Sequence, residues 1–290
     1  MKVFFNSDYT ASGYAFDTTR KSAEIAAAIK HFPNVEINDP AGLYEVTEEL
    51  IRRMHKTVYV HAIKTGDPLW KAESQGFTWD EDIYTMALAH NAGMVAAATE
   101  VLSNLEFVAG SLSSGLHHAT AREGVGFCTF NGLAVAALAA SQLGARRILS
   151  LDFDAHCGGG TYGMTRELGV VQVDVATSAF DSYDITDSES RLILCKNPND
   201  YIDTIEGALA YAKAHGPWDL VIYNAGMDPY NTRVSFDDLN RREEMVAEWV
   251  MENQYPTIFS MAGGYTWDGV TMKDLVDLHG LTVSAFSAIS

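Results

Sequence analysis

The sequence predicts an α/β protein, a single-domain three-layer α/β/α fold on a mostly parallel sheet that takes in residues 1–290. Three observations predict it. The stretch ILSLDFDAHCGGGT (Ile148–Thr161) opens as a continuous apolar run, the pattern of a central parallel strand with helices on both faces. From there to the C-terminus apolar strands alternate with helical patterns, as parallel pairing through crossovers requires. Three polar, glycine-containing clusters then fall at three strand ends: Asp152, Asp154 and His156 after one strand, Asn224 to Asp228 after another, Ala262 to Tyr265 after the last. In an open α/β sheet such ends build a single crevice.

Taken in order, Lys2–Phe5 reads as a first strand, followed by a helix near Thr18–Lys30 with apolar Ile25, Ala26 and Ile29. Thr47 with Glu48 and Glu49 reads as a helix N-terminus, and HKTVYVHAIKT (His55–Thr65) continues that helical pattern until Gly66-Asp67-Pro68 stops it. Asp80 or Asp82 opens a long Ala- and Met-rich helix to about Ser103. Phe107–Gly110 is a strand leading into the polar turn SLSSG, which delivers His117 and His118. A helix over Asn131–Leu143 precedes the central strand. Then come strands at Val170–Val175 and Arg191–Cys195, a helix at Asp200–His215, a strand at Asp219–Tyr223, a helix at Asp237–Asn253, a strand at Thr257–Met261 and a final helix from Thr271. No linker, repeat or low-complexity tract divides the chain.

Composition excludes several function classes. An apolar share of 47% with 20% charged residues is that of an ordinary globular protein. A net charge of −18 argues against nucleic acid as a partner and is compatible with cationic substrates such as polyamines or lysine-rich segments. The first residues are too short an apolar run for a signal peptide and no stretch is long enough for a membrane span, so a cytoplasmic protein without a membrane partner is expected. Cys128, Cys157 and Cys195 lack pair spacing, which speaks against a disulfide framework; Cys157, beside His156, is a candidate to line the site.

The strand ends carry a recognisable chemistry. Side chains two apart on a strand share a face, so Asp154 and His156 reach one metal ion together, and Asp228 completes a set of two carboxylates and one imidazole with a position open for water. A lone D-x-D-x-H is equally the cap of the next turn; the convergence of three strand ends separates the two readings. Hydrolysis also needs a proton acceptor and a donor to the leaving group, for which His117 and His118 are the candidates, with Asp152 orienting one of them. Tyr265, on a glycine turn, is placed to stabilise an oxyanion.

In order and spacing, GLHHATAREGVGFCTFNGLAVA (Gly115–Ala136), LSLDFDAHCGGGT (Leu149–Thr161), YNAGMDP (Tyr223–Pro229) and MAGGYTW (Met261–Trp267) resemble the signature segments of zinc-dependent histone-deacetylase-like amidohydrolases, a group that includes acetylpolyamine amidohydrolases and has the arginase/deacetylase fold. The resemblance covers most of the chain. It implies one Zn2+ held by Asp154, His156 and Asp228, with His118 the general base, Asp152 paired with His117, and Tyr265 polarising the scissile carbonyl. It also implies K+ at Asp152 with main-chain oxygens near Asp154 and His156, and an acyl channel lined by Gly126 and Phe127 with Phe180 opposite. The implied substrate is an acylated lysine or an acylated small amine; the oligomeric state stays open.

Two departures stand out. Where relatives read HHGDG or HHGNG this chain reads HCGGG, so Gly159 replaces the residue that orients the second histidine, leaving the base loosely held or of lower pKa unless Thr161 or another group substitutes. The segment SAFDSYDITDSES replaces a glycine-containing rim loop, so the rim does not transfer. An arginase-like two-manganese ureohydrolase is the alternative within the fold, but Gly158 stands where it needs a second carboxylate. A non-catalytic acyl-amine-binding relative is the alternative outside enzymes, and Gly159 is the feature in its favour.

Overall fold

The structure is a computed structural model that describes residues 1–14 and 20–290. Its strands are β1 (Lys2–Phe4), β2 (Glu36–Asn38), β3 (Val108–Ser111), β4 (Ile148–Asp152), β5 (Val171–Ala176), β6 (Arg191–Leu194), β7 (Leu220–Asn224) and β8 (Thr257–Ser260). They form one sheet in the order β2-β1-β3-β8-β7-β4-β5-β6, with every pair parallel. From β4 the chain runs outward through β5 and β6, then returns to lay β7 on the other side of β4. The β4–β7 pair is therefore the switch point at which such sheets open a crevice.

The helices are α1 (Ser22–Ile29), α2 (Tyr44–Met54), α3 (Thr57–Thr65), α4 (Leu69–Ala72), α5 (Ile83–Leu102), α6 (Gly132–Gln142), α7 (Gly159–Thr165), α8 (Tyr201–His215), α9 (Phe236–Asn253) and α10 (Met272–Ser287). Strand side chains alternate between two layers, as the period of two demands. Leu149, Leu151, Val221, Tyr223 and Phe259 pack with α1, α8, α9 and α10, while Ile148, Leu220, Ile222 and Ile258 pack with α5 and α6. Each fully buried side chain of this size contributes about 1.5–3 kcal/mol. A third apolar cluster, including Ile51, Tyr59, Val95 and Val135, joins α2 and α3 to the outer faces of α5 and α6.

One register level of the sheet is polar. Ser111 pairs with Ser260, Ser260 with Asn224, Asn224 with Asp152 and Asp152 with Asp174, all fully buried. Ser260 Oγ donates to Asn224 Oδ1 at 2.8 Å and Asn224 Nδ2 donates to Asp152 Oδ1 at 2.8 Å. Burial of Ser260, Asn224 and Asp152 is tolerated because these groups bond one another, while Asp174 Oδ1 keeps no hydrogen-bond partner. The row is the floor of the crevice.

Several expectations need correction. The strand β2 has one apolar residue in three and is invisible to a periodicity search. Thr47 lies buried inside α2 rather than at its start, because that helix begins at Tyr44. The helical pattern through His55–Thr65 is broken: His55 and Lys56 are extended, and α3 starts afresh at Thr57. Buried His55 explains the break, since its Nδ1 lies 2.9 Å from the Thr120 carbonyl and its Nε2 accepts from the Asn131 N–H at 3.1 Å. Residues 18 and 19 of the expected first helix lie outside the described residues.

Candidate metal centre and active site

Asp154 and His156 leave the end of β4, and Asp228 follows β7. Among the described residues they form a group in which one ligand atom from each lies within 4.8 Å of the others. His156 Nδ1 is 3.2 Å from Asp154 Oδ1 and 2.9 Å from Asp228 Oδ2, and the latter oxygen, buried, makes no hydrogen bond. Burial opposes a charge on His156, yet the two carboxylates push its pKa up to about 11. Two anionic oxygens and an imidazole nitrogen so placed fit a divalent cation of zinc type, which binds such N and O donors.

The turns that hold these residues are pinned from beneath. Arg242 of α9, fully buried, donates through Nη1 to the carbonyls of Phe153 at 3.0 Å and Gly226 at 2.7 Å, and pairs with buried Glu243 at 2.6 Å. One guanidinium thus ties the β4 turn to the β7 turn. Gly263, with φ of 60°, lets the third turn approach, since a Cβ there would lie 2.6 Å from Asp228 Cγ. The buried Lys21 ammonium donates to the Gly263 carbonyl at 2.5 Å and holds that turn down.

The two histidines sit side by side, ring centroids 3.9 Å apart. Asn131, the N-cap of α6, donates to the carbonyls of His117 and Ala119 and so fixes their backbone. His117 Nδ1 donates to Asp152 Oδ2 at 2.9 Å, and its Nε2 lies 3.6 Å from Asp154 Oδ1. Burial disfavours the imidazolium, but Asp152 and Asp154 outweigh it and carry the pKa of His117 up to about 10. For His118 burial prevails, helped by the charge of His117, and its pKa is lowered. Its Nδ1 lies 2.9 Å from Asp181 Oδ2.

Tyr265 shares the cleft. Burial first, then Asp228 and Asp154, push its phenol pKa far up. A narrow base encloses about 20 Å³ among His117, His118, Asp154, His156, Asp228 and Tyr265, room for one water-sized group. It opens into a mouth of about 240 Å³ walled by Phe127, Phe180 and Trp267. Phe127 adopts φ of 65°, a conformation uncommon outside glycine, and Gly126 before it lets His118 and Phe180 come close.

Residues 16–183 match the family model described as the histone deacetylase domain. The chain belongs to the histone deacetylase family. Histone deacetylase 2 of Arabidopsis thaliana is 28% identical over 171 residues, 53% of this chain and 43% of that protein, so the chain matches less than half of that relative's length. An uncharacterized protein of Picosynechococcus is 27% identical over 245 residues, 79% of this chain and 78% of its own. The crystal structure of an acetylpolyamine aminohydrolase from Burkholderia pseudomallei superposes with a TM-score of 0.80 at 18% identity, covering 100% of this chain and 99% of that one, which establishes the arginase/deacetylase-like fold.

Around this cleft the structure brings together Asp154, His156 and Asp228 at the base, His117, His118 and Asp152 beside them, Tyr265 across the cleft, and Gly126, Phe127 and Phe180 above. It corrects two points. The Cys157 thiol is turned away toward the Ser178 carbonyl, and Cys128 lines the cleft instead. Thr161 does not replace the residue missing at position 159, because its hydroxyl lies at the His117 carbonyl and Asn131; Asp181 reaches His118. Trp267, the last residue of the MAGGYTW segment, is 53% exposed at the mouth and stacked on Tyr265 at 4.2 Å. Asp181, Lys21, Asn131 and Arg242 escaped the sequence reading. Of these only Asn131, a capping residue before an alanine-rich helix, carried a local signal.

Proposed function

We propose that the chain is a zinc-dependent amidohydrolase that removes an acyl group, acetyl first among candidates, from the ε-amine of lysine or from a small amine such as a polyamine. The observation that carries this reading is the meeting of the Asp154-His156-Asp228 set, two adjacent histidines each paired with a carboxylate and Tyr265 around a space the size of one carbonyl or water. Zinc held by Asp154, His156 and Asp228 supplies, when bound, a Lewis acid for the acyl carbonyl and a more acidic water.

The chain's own groups do the rest. His118 donates its Nδ1 proton to Asp181, which leaves Nε2 as an acceptor, and its lowered pKa keeps it neutral. It takes a proton from the attacking water and returns it to the departing amine as the C–N bond breaks. His117, held as a cation by Asp152, places positive charge beside the reacting carbonyl. The Tyr265 phenol, kept protonated, donates to the developing oxyanion. Phe127 and Phe180 flank the apolar arm of the substrate, and the overall charge of −18 draws in a cationic amine. Asp174 Oδ1, buried beside Asp152 and without a hydrogen-bond partner, suits the K+ site proposed there. Three unpaired, buried cysteines suit a cytoplasmic protein.

The ureohydrolase reading loses support, because a Cβ at Gly158 would lie 2.5 Å from Asp152 Oδ2 and no carboxylate fits there. The non-catalytic reading loses its one argument, since His118 has a carboxylate partner after all. The test is turnover of an acetyl-lysine peptide and of an N-acetyl diamine by the zinc-loaded protein. Hydrolysis of either supports the reading and tells the substrates apart; hydrolysis of neither, with zinc bound, refutes it.

A further inference from the structure

We propose that Asp181, on the loop after β5, is the positioning residue of His118, and that this loop joins the orientation of the base to the wall of the acyl channel. The inference rests on the reading of His118 as the base. Asp181 stands 63 residues from His118 in the chain, and its Oδ2 accepts from His118 Nδ1 at 2.9 Å and from the Gly160 N–H at 3.1 Å. Two donors on one oxygen fix the carboxylate in place. Asp181 has φ of 58°, in the left-handed region that aspartate tolerates better than most residues.

The loop is stitched to the turn that carries the metal-ligand candidates. The N–H groups of Thr177 and Ser178 donate to the Ala155 carbonyl at 2.9 and 2.7 Å, and Cys157 N–H donates to the Phe180 carbonyl at 3.0 Å. On the far side Tyr183 donates to Asp174 at 3.2 Å and stacks on Tyr162 at 4.6 Å, while Asp187 accepts from Tyr162 at 2.9 Å. Asp181 is therefore anchored on both flanks.

Gly159 is the counterpart of this arrangement. A Cβ there would lie 2.4 Å from the Asp181 carbonyl oxygen and 2.7 Å from its Oδ1. A side chain at 159 and this path of the loop exclude each other. The glycine is what admits the distant carboxylate.

A neutral imidazole has two tautomers, and a carboxylate at Nδ1 selects the one whose Nε2 is basic. Phe180, directly before Asp181, packs edge-on to His118 at 5.0 Å and to His156 at 5.7 Å, and is 47% exposed at the mouth. The residue that meets the acyl chain and the residue that orients the base are thus neighbours on one loop.

The experiment is histidine 15N NMR on the full chain, with the His118 signals assigned by difference from His118→Gln, alongside steady-state kinetics of the zinc-loaded enzyme. Wild type shows His118 with Nδ1 protonated. Asp181→Ala mixes the tautomers and lowers kcat about 10- to 100-fold with KM nearly unchanged, and Asp181→Asn, which keeps an acceptor, holds the tautomer and recovers part of kcat. Gly159→Ala, which pushes the loop from the other side, reproduces the Asp181→Ala pattern. An unchanged tautomer, or an unchanged kcat, in Asp181→Ala overturns the proposal. Should wild type hydrolyse no amide, the proposed function fails and the tautomer alone decides for or against the His118–Asp181 pair.

Discussion

Asn231 grips the backbone of Tyr265 from both sides: its Oδ1 accepts from the Tyr265 N–H at 3.1 Å and its Nδ2 donates to the Tyr265 carbonyl at 3.2 Å. The amide is matched to this double contact and its isosteric acid is not, since aspartate has no donor. Asn231→Asp should therefore lower kcat about tenfold while leaving the fold intact, with circular dichroism as the control. Wild-type kcat in Asn231→Asp would show that the glycine turn holds Tyr265 without the clamp.

Tyr265→Phe removes one hydroxyl and no packing area. A donor to an oxyanion is worth about 10²–10³ in kcat when it acts only in the transition state. The expected result is that fall with KM nearly constant. A Tyr265→Phe enzyme at wild-type rate would sink the oxyanion role.

The donor set predicts one divalent ion per chain. Metal analysis after dialysis should find one zinc, and zinc at 100 times its Kd should raise the unfolding free energy by about 2.7 kcal/mol. Asp154→Ala and Asp228→Ala should each abolish that thermal shift. Two ions per chain would revive the ureohydrolase alternative.

Arg242 holds the Phe153 and Gly226 carbonyls and the buried carboxylate of Glu243. Arg242→Met leaves that acid without its countercharge in the core, held only by the Tyr223 hydroxyl at 2.7 Å, and losing the partner of a buried pair costs about 3–5 kcal/mol. Urea denaturation should show it, and Arg242→Met with Glu243→Gln should recover part of it.

Stability should fall in mild acid through two buried histidines that do not line the narrow base. Burial lowers the pKa of His55 to about 4 and of His90 to about 3, and both rings use one nitrogen as acceptor, from the Asn131 N–H and the Ser114 N–H. The unfolded chain binds their protons first, near pH 6.5. Their contribution is thus complete above that value and is lost as pH falls toward 4 and then 3. His55→Gln should flatten the first part of the loss in denaturation midpoints measured from pH 7 to 4.

Much of this site is local in sequence. Asp152, Asp154 and His156 lie within five residues at one strand end, and the apolar runs that become β4, β7 and β8 declare themselves by burial on both faces. Alternation of such strands with amphipathic helices determined the layered parallel sheet, and with it the side of the sheet on which Asp154, Asp228 and Tyr265 would meet. Tertiary structure decided what local pattern cannot hold. The three residues of β2 become a strand only because β1 offers a free edge. Thr47 resembles a cap by type, yet packing buries it within α2. Spacing puts the partner of His118 at position 159, but it arrives from the loop after β5, because a carboxylate acts through space and glycine leaves the space open.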